Sequence, residues 1–328
     1  MDVRRGNGVE IVVGERTLSL DPDSAAHEAV ITHAHFDHLG GARGRTRGNV
    51  QAQPAWMTAP TRDLLRTRRP GAGGRAVGYG GWFEAGGLQV RLHDAGHVLG
   101  SAMVETDGVL YTGDFNPSPG LLHDGATAVT CDTLVMESTY GDPRMDLPPK
   151  RLVLDTLEAW ALRRLVRGSV ALGSHALGRA QELVAMMNRA GVTPVVSADI
   201  AQATAVYNAH GADLAYVPLG SPKARELEGR ACYVVPRQYL KKGSDFAARL
   251  RAEGGSGAYV SGWCHRFSYF RTYDIEAQFA LSDHAGFREL VDFAEACSPK
   301  RVYTTHGEEA ALAEALEAKL NVPCAPLG

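Results

Sequence analysis

The stretch ITHAHFDHLGG, residues 31–41, most constrains the fold of this chain, because it places three histidines and one aspartate within six positions. In an extended segment, residues i and i+2 point the same way, and a following turn redirects the next two. His33 and His35 are therefore expected to bind one metal ion, and Asp37 and His38 a second. Imidazole and carboxylate ligands without thiolate favour zinc, with manganese or iron as alternatives.

Two further motifs offer ligands to the same ions. His97 lies in DAGHVLGS (94–101) and Asp114 in YTGDFN (111–116), and each follows a predicted strand. Either motif alone would be weak evidence, but the set in this order is strong. The five cysteines are scattered and none forms a C-x-x-C pair, so the sequence suggests neither a disulfide framework nor a thiolate zinc site.

The pattern of apolar residues divides the chain into three zones. Residues 1–140 contain short β-branched, alternating runs between glycine-rich turns, and these predict strands. Over 151–260 helical spacing alternates with short apolar runs, which predicts a parallel sheet with crossover helices. Residues 275–328 return to strand and helix with two further histidines. The chain is therefore expected to belong to the α/β class.

Charge and hydropathy narrow the class of protein. No apolar run approaches the ~20 residues that span a bilayer, and the start lacks the apolar region of a signal peptide, so a cytoplasmic protein without a membrane partner is expected. The net charge of -3 is not that of a general nucleic-acid binder. Arginine clusters at 41–48 and 61–71 nevertheless follow the histidine motif, and this proximity keeps open the interpretation that they bind an anionic substrate. A solvated loop and helix face are the alternative.

Four later motifs resemble signatures of the β-CASP nucleases, a branch of the metallo-β-lactamase fold superfamily. They are MESTYGD (136–142), HALGRAQEL (175–183), ALSDHAGF (280–287) and TTHGEE (304–309). The chain is also similar to the endonuclease subunit of the cleavage and polyadenylation specificity factor and to compact exonucleases encoded beside bacterial DNA ligases. The resemblance implies a four-layer αββα sandwich with an inserted α/β cap. Its parts would be the hydrolase domain at 1–144, the cap at 145–272 and the end of the hydrolase domain at 273–328.

The resemblance also implies a set of site residues with two zinc ions. The first ion would be held by His33, His35 and His97, the second by Asp37, His38 and His306, and both would be bridged by Asp114. His284 would be the general acid and Glu137 would hold its ring, and Asp37 also counts among the catalytic residues. Asp21 would orient a ligand without touching a metal, with Asp23 as a competitor. Arg179 would contact a phosphate, with a purely structural place on its helix as the alternative.

A phosphodiesterase that cleaves single-stranded nucleic acid is the function that this resemblance implies. His306 in the third signature favours RNA, as in mRNA 3′-end processing or exonuclease action, and a DNA exonuclease of repair is the alternative. A thioester-type metallohydrolase is the alternative of another class, although it has no need of Glu137 and His284. An inactive scaffold is disfavoured because every ligand position is filled. The sequence leaves open the cleavage polarity, the native metal and whether the chain is a homodimer.

Overall fold

A computed structural model describes residues 1–22, 24, 27–38 and 55–328, without the side chain of Asp37. Asp23 and the arginine cluster at 41–48 lie outside the described residues. The chain forms two compact units. The first contains residues 1–119, 124–146 and 284–328, and the second contains residues 120–123 and 147–283.

The first unit contains two sheets. Sheet one has the order β1-β2-β3-β4-β5-β6, with strands β1 Asp2–Gly6, β2 Gly8–Val13, β3 Arg16–Leu20, β4 Ala29–Val30, β5 Ala55–Met57 and β6 Arg75–Ala76. Sheet two has the order β19-β18-β11-β10-β9-β8-β7, with strands β7 Trp82–Ala85, β8 Leu88–Asp94, β9 Ala102–Thr106, β10 Val109–Tyr111, β11 Thr133–Ser138, β18 Arg301–Gly307 and β19 Cys324–Pro326. Strands β10, β11, β18 and β19 run parallel, whereas β7 to β10 are antiparallel.

Successive apolar side chains along the strands of sheet two point to opposite faces, and both faces are buried. Ile11 and Leu18 of sheet one share a core with Val90 and Val104 of sheet two. On the other face, Leu134 packs with side chains of helices α7 (Phe287–Cys297) and α8 (Glu309–Leu320). Helix α1 (Ala59–Arg68) follows β5 and buries Thr61, Leu64 and Leu65. Burial of this kind contributes about 25 cal/mol per Å² of apolar surface.

The second unit is built on one sheet, in which every paired strand is parallel. Its order is β14-β13-β15-β12-β16-β17, with strands β12 Val170–Ser174, β13 Val195–Val196, β14 Val217–Pro218, β15 Cys232–Pro236, β16 Ser256–Val260 and β17 Ala277–Phe279. The connecting helices are α2 Lys150–Leu165, α3 Arg179–Arg189, α4 Ala198–Ala209, α5 Pro222–Glu226 and α6 Asp245–Ala252. The α/β class predicted from the sequence is confirmed. Among the described residues, no helix is long and apolar enough to cross a bilayer.

Candidate metal centre

The H-x-H-x-D-H motif begins just after β4, at one end of sheet one. His33 and His35 lie in irregular backbone, and a 3-10 turn follows over Phe36–His38. The backbone N–H of Ile31 donates to the carbonyl of Trp56 at 2.9 Å, which ties the start of the motif to β5. The motif therefore leaves the sheet as a short loop that aims its imidazoles inward, and both His33 and His38 are buried.

Three histidines and one aspartate come together with the spacing of a metal site. The ligand atoms of His33, His35, His97 and Asp114 all lie within 4.8 Å of one another. His35 Nδ1 is 3.1 Å from His33 Nε2 and 3.1 Å from His97 Nε2. Tetrahedral zinc with Zn–N bonds of about 2.0–2.1 Å separates its ligand atoms by roughly 3.3 Å. The donor set and its spacing therefore fit one zinc-type ion.

The two carboxylate oxygens of Asp114 face different histidines. Its Oδ2 lies 3.4 Å from His33 Nε2 and 3.7 Å from His97 Nε2, and its Oδ1 lies 3.3 Å from His38 Nε2. Burial alone would raise the pKa of the Asp114 carboxyl, but the facing rings of His38 and His284 hold that pKa well below its usual range. One carboxylate oxygen thus faces the nitrogens of His33 and His97, and the other faces the nitrogen of His38.

The second predicted ligand group is described in part. The rings of His38 and His306 stack with centroids 5.0 Å apart, while the side chain of Asp37 lies outside the described part of the chain. His306 adopts a left-handed backbone with φ 55° at the end of β18, beside a register shift between Glu137 and Ser138 of β11. Such bulges and strained backbone positions concentrate at functional sites, where they redirect a side chain.

Asp21 lies behind His38 and takes part in several hydrogen bonds. Its carboxylate is 2.8 Å from His38 Nδ1, and it accepts from the backbone N–H and hydroxyl of Thr32, both at 2.7 Å, and from the hydroxyl of Tyr111 at 3.1 Å. Thr32 Oγ1 is also 3.0 Å from His33 Nδ1. A partner on the far nitrogen fixes the tautomer and the orientation of a ligating imidazole.

Thr32 and Tyr111 were not predicted from the sequence. Thr32 directly precedes the first histidine of the motif, and this position was the available signal. Tyr111 ends the strand that leads to Asp114, with its side chain fully buried. A buried tyrosine hydroxyl needs a partner, and here that partner is Asp21.

Two glycines allow the ligand-bearing loops to approach each other. Gly96, before His97, has φ 62°, and a Cβ there would lie 2.4 Å from the carbonyl oxygen of Asn116. Gly113, before Asp114, has φ 52°, and a Cβ there would lie 2.9 Å from the side chain of Thr32. A larger residue would suffer both a left-handed backbone and a clash, so these glycines help to set the positions of the two ligands.

The predicted acid pair lies at the edge of the metal ligands. Asp114, Glu137 and His284 form a second group of close ligand-type atoms. His284 Nδ1 is 3.0 Å from each carboxylate oxygen of Glu137 and 4.0 Å from Asp114 Oδ2. Glu137 is 1% exposed, and its Oε1 accepts from the backbone N–H of Phe115 at 2.8 Å. The Phe115 N–H and the His284 Nδ1 therefore both help to position the Glu137 carboxylate.

Arg179 lies in a different environment from Arg68 and Arg69. Arg179 is 5% exposed, and its Nη2 lies 3.1 Å from Asp283 Oδ2. Arg68 lies with its guanidinium carbon 4.8 Å from the ring centroid of Phe36, and Arg69 lies 6.0 Å from the same ring. Phe36 stands between His35 and Asp37 and is 49% exposed. The second arginine cluster is thus beside the histidine motif, whereas Arg179 is buried against an acid.

Residues 272–325 match the family model described as "Zn-dependent metallo-hydrolase RNA specificity domain". The chain is 28% identical over 305 residues to a protein of Opitutus terrae named "Probable DNA ligase", which covers 90% of this chain and 28% of that one. It is 28% identical over 238 residues to the RNase J-like protein of Methanocaldococcus jannaschii, covering 62% of this chain and 54% of the relative. It is 30% identical over 207 residues to ribonuclease TTHA0252 of Thermus thermophilus, and this match covers 56% of this chain and 48% of the ribonuclease.

A solved structure shares the fold. A protein of unknown function from Enterococcus faecalis V583 aligns over 100% of this chain and 83% of its own, with a TM-score of 0.61 and 14% identity. The chain spans 28% to 54% of the length of the three curated relatives above. Together with the histidine and aspartate cluster, the zinc-dependent family match indicates that this protein binds metal.

Proposed function

We propose that this chain, whose predicted resemblance to the β-CASP nucleases is confirmed by these matches, is a metal-dependent phosphodiesterase that cleaves single-stranded nucleic acid, with RNA favoured. The observation that carries this proposal is the buried Glu137 beneath His284 at the edge of the metal ligands. A hydrolase that needs only metal to activate water has no use for such a pair. A phosphodiesterase gains from it, because a positioned acid can protonate the leaving alkoxide oxygen.

Two zinc ions are the proposed cofactors, with manganese or iron as alternatives. His33, His35 and His97 would hold the first ion, Asp37, His38 and His306 would hold the second, and Asp114 would bridge them. When bound, such ions activate water and neutralise charge on the phosphate in an in-line displacement. Asp21, with Thr32 and Tyr111, would keep the His38 ring in the orientation that ligation requires.

His284 is proposed as the general acid. An imidazolium carries a proton on each nitrogen, and Nδ1 faces Glu137 at 3.0 Å. The other nitrogen, Nε2, would donate its proton to the leaving oxygen. Glu137 stabilises the charged ring and cannot rotate away, because the N–H of Phe115 holds its Oε1 at 2.8 Å.

Arg68 and Arg69 support an anionic substrate. Both lie over the exposed ring of Phe36, one residue from the ligand His35, and Arg68 is anchored by a hydrogen bond from Nη1 to the Ala34 carbonyl at 3.2 Å. A base could stack on Phe36 while the arginines contact phosphates. For Arg179, the proposed phosphate contact would compete with its ion pair to Asp283.

The second unit is proposed to be the inserted cap, at residues 145–272. In the first unit, α1 would cover the outer face of sheet one with its buried side chains Leu64 and Leu65, completing a four-layer αββα sandwich. This arrangement is the one that the resemblance implies, and the two sheets and helices α7 and α8 already share cores in that order.

DNA is the second candidate substrate. The relative that covers 90% of this chain bears the name of a DNA ligase, whereas others are named ribonuclease or RNase J-like protein. A nuclease acting with a ligase would trim DNA ends in repair. RNA remains favoured because the matched family model is described by RNA specificity.

One experiment separates these candidates from each other and from a thioester hydrolase. The purified protein is incubated with end-labelled single-stranded RNA and DNA of the same sequence, with and without chelator, and in parallel with a glutathione thioester. Chelator-sensitive shortening of RNA faster than DNA is expected, with His284→Ala as the negative control. Faster shortening of DNA would select the second candidate. Thioester turnover without nuclease activity would overturn the proposal.

A further inference from the structure

The segment 263–273 of the second unit presents aromatic rings to solvent. It contains Trp263, Phe267, Tyr269, Phe270 and Tyr273. Phe267 is 44% exposed and Phe270 is 42% exposed, and the other three rings are half-buried. Exposed apolar surface of this kind costs free energy, and clusters of it mark binding surfaces. We refer to these five rings as the aromatic platform.

Neighbouring side chains hold part of the platform in place. The ring of Tyr259, 2% exposed, stacks on Tyr273 at 5.0 Å and meets the edge of Tyr269 at 4.8 Å. The side chain of Gln278 accepts from the N–H of Tyr269 at 3.0 Å and donates to the carbonyl of Phe267 at 2.8 Å. Rings held in this way lose little conformational entropy when a ligand stacks on them.

Positive charge surrounds the platform. Residues 237–242 pair with it through the bridge between Lys241 and Tyr273 and through Lys242 N–H, which donates to the Thr272 carbonyl at 3.0 Å. Arg266 lies 5.4 Å from the ring centroid of Phe267, and Arg237 Nη1 donates to the Tyr259 hydroxyl at 3.4 Å.

The charge in these two segments is all of one sign. They contain Arg237, Lys241, Lys242, Arg266 and Arg271, all exposed, and neither segment contains Asp or Glu. The next acid along the chain, Asp274, is already paired with Arg251. A ligand for this surface must therefore combine flat apolar groups with negative charge.

We propose that the aromatic platform binds unpaired bases of a single-stranded nucleic acid, with the surrounding arginines and lysines on its phosphates. The inference rests on the proposed nuclease function and adds to it a second contact with the strand, on the second unit. Bases in a duplex hide their faces from such rings, whereas unpaired bases stack on them without sequence preference. The platform thus selects for single strands independently of the metal site.

The test compares the binding of a strand that has bases with the binding of a strand that has phosphates but lacks its central bases. In a His284→Ala background, which slows hydrolysis, binding of a fluorescent ~12-nucleotide strand is measured by anisotropy, beside a strand of equal length whose central nucleotides are abasic. Loss of one stacking ring weakens binding by about 5- to 150-fold. The double variant Phe267→Ala/Phe270→Ala is expected to bind the base-containing strand at least 5-fold more weakly and the abasic strand almost unchanged. Phe267→Tyr, which keeps the ring, should bind as the parent does.

Controls separate this surface from the catalytic machinery. Leu152→Ala removes another exposed apolar side chain of the second unit, 59% exposed, and should leave binding unchanged. With His284 intact, hydrolysis of a small chromogenic phosphodiester, which has no neighbouring bases, should be equal in wild type and Phe267→Ala/Phe270→Ala. Equal thermal midpoints would show that the variant is folded.

Three results would overturn the inference. In the first, the parent and the variant bind the base-containing strand equally while wild type cleaves RNA or DNA. This result would show that the platform is not a binding site, and it would not contradict the proposed function. Loss of abasic binding to the same extent would show that the rings do not contact bases. A dimer that sedimentation detects and that the variant abolishes would assign the surface to a second copy of the chain. Absence of both binding and cleavage in wild type would instead contradict the proposed function.

Discussion

The Nδ1 atom of His284 lies 3.0 Å from both carboxylate oxygens of Glu137, although the two residues are 147 positions apart in the chain. Glu137 is the second-last residue of β11, and His284 precedes α7. Ligand-type atoms of both residues lie within 4.8 Å of a carboxylate oxygen of Asp114. Mutations of His284 and Glu137 can therefore test proton transfer separately from metal binding.

His284→Ala is expected to keep its metal and lose about 10²- to 10⁴-fold in kcat, because a general acid contributes that much to rate. Glu137→Gln should show a smaller loss in the same direction, since it only removes the charge beneath the ring. His306→Ala should differ in kind, with weaker metal binding and partial recovery on added zinc. Metal content and single-turnover cleavage are measured on the same preparations. If His284→Ala lost its metal, or cleaved at the wild-type rate, its assignment as the acid would be wrong.

Asp21→Asn is expected to weaken metal binding about 10- to 100-fold, the usual effect of losing a partner behind a ligating histidine. Wild type should retain about two transition-metal ions per chain after dialysis, and the variant fewer. Inductively coupled plasma mass spectrometry gives the counts, and competition with a chromogenic chelator gives the affinities. His265→Ala, an exposed histidine outside the cluster, is the matched control. A metal-free wild type that zinc and manganese do not reload would contradict the site itself.

Cleavage should fall steeply with salt, because each phosphate contact to a single strand contributes a slope of about -0.7 in log K against log salt. Arg68→Gln and Arg69→Gln should each make that slope shallower by about this amount. Arg66→Gln on the same helix, whose guanidinium lies 3.5 Å from Asp63, is the control. A slope that neither variant changes would show that the arginines over Phe36 do not meet phosphate.

Arg179 tests a structural role against a substrate role. Removing its side chain breaks the buried ion pair with Asp283, and losing one partner of such a pair lowers stability. Arg179→Ala should therefore unfold at lower urea concentration than wild type. Arg179→Lys keeps the charge, so a variant of near-normal stability with a raised KM for RNA would support the phosphate contact. Normal KM and kcat in Arg179→Lys would argue against a phosphate contact, and the ion pair with Asp283 would then be the role of Arg179.

His123 should make the protein less stable in mild acid. Burial, followed by the charge of Lys150, lowers its pKa to about 4, against roughly 6.5 in an unfolded chain. Between these values the unfolded state binds a proton that the folded state does not, so the stability from this group is complete above pH 6.5 and is lost as pH falls towards 4. Its Nε2 lies 3.3 Å from Lys150 Nζ, and its Nδ1 has no hydrogen-bond partner among the described residues.

Urea unfolding at pH 7.5 and pH 5 measures this dependence. His123→Asn should lose less stability between the two pH values than wild type, while His210→Asn, at an exposed helix end, should match wild type. An identical pH dependence in His123→Asn would show that other groups account for the acid lability.

Much of the secondary structure followed from local pattern alone. The alternation of helical spacing with short apolar runs over 151–260 predicted helices and strands there, and α2 (Lys150–Leu165) and β12 (Val170–Ser174) are two of them. Side-chain periodicity is a local property, so no knowledge of the fold was needed. The helix Ala198–Ala209 was not predicted individually, because its alanines form no clear apolar stripe along the sequence.

For the site, the sequence by itself determined the residue types and their order along the chain. His33, His35 and His97 could be named as ligands because the first two share one short motif and the third follows a strand next to a glycine. Metal coordination needs particular donor atoms, and only a few side chains carry them. The resemblance to a nuclease family then supplied Glu137 and His284 as a pair.

Only the tertiary structure decided which of these atoms meet. It directed the two oxygens of Asp114 towards different histidines, put Thr32 and Tyr111 behind the ligands, and buried Arg179 against Asp283. It also brought two segments, 237–242 and 263–273, into one aromatic and basic surface. Such contacts join residues far apart in the chain, and they depend on strand order, register and positive-φ turns. No local pattern contains that information.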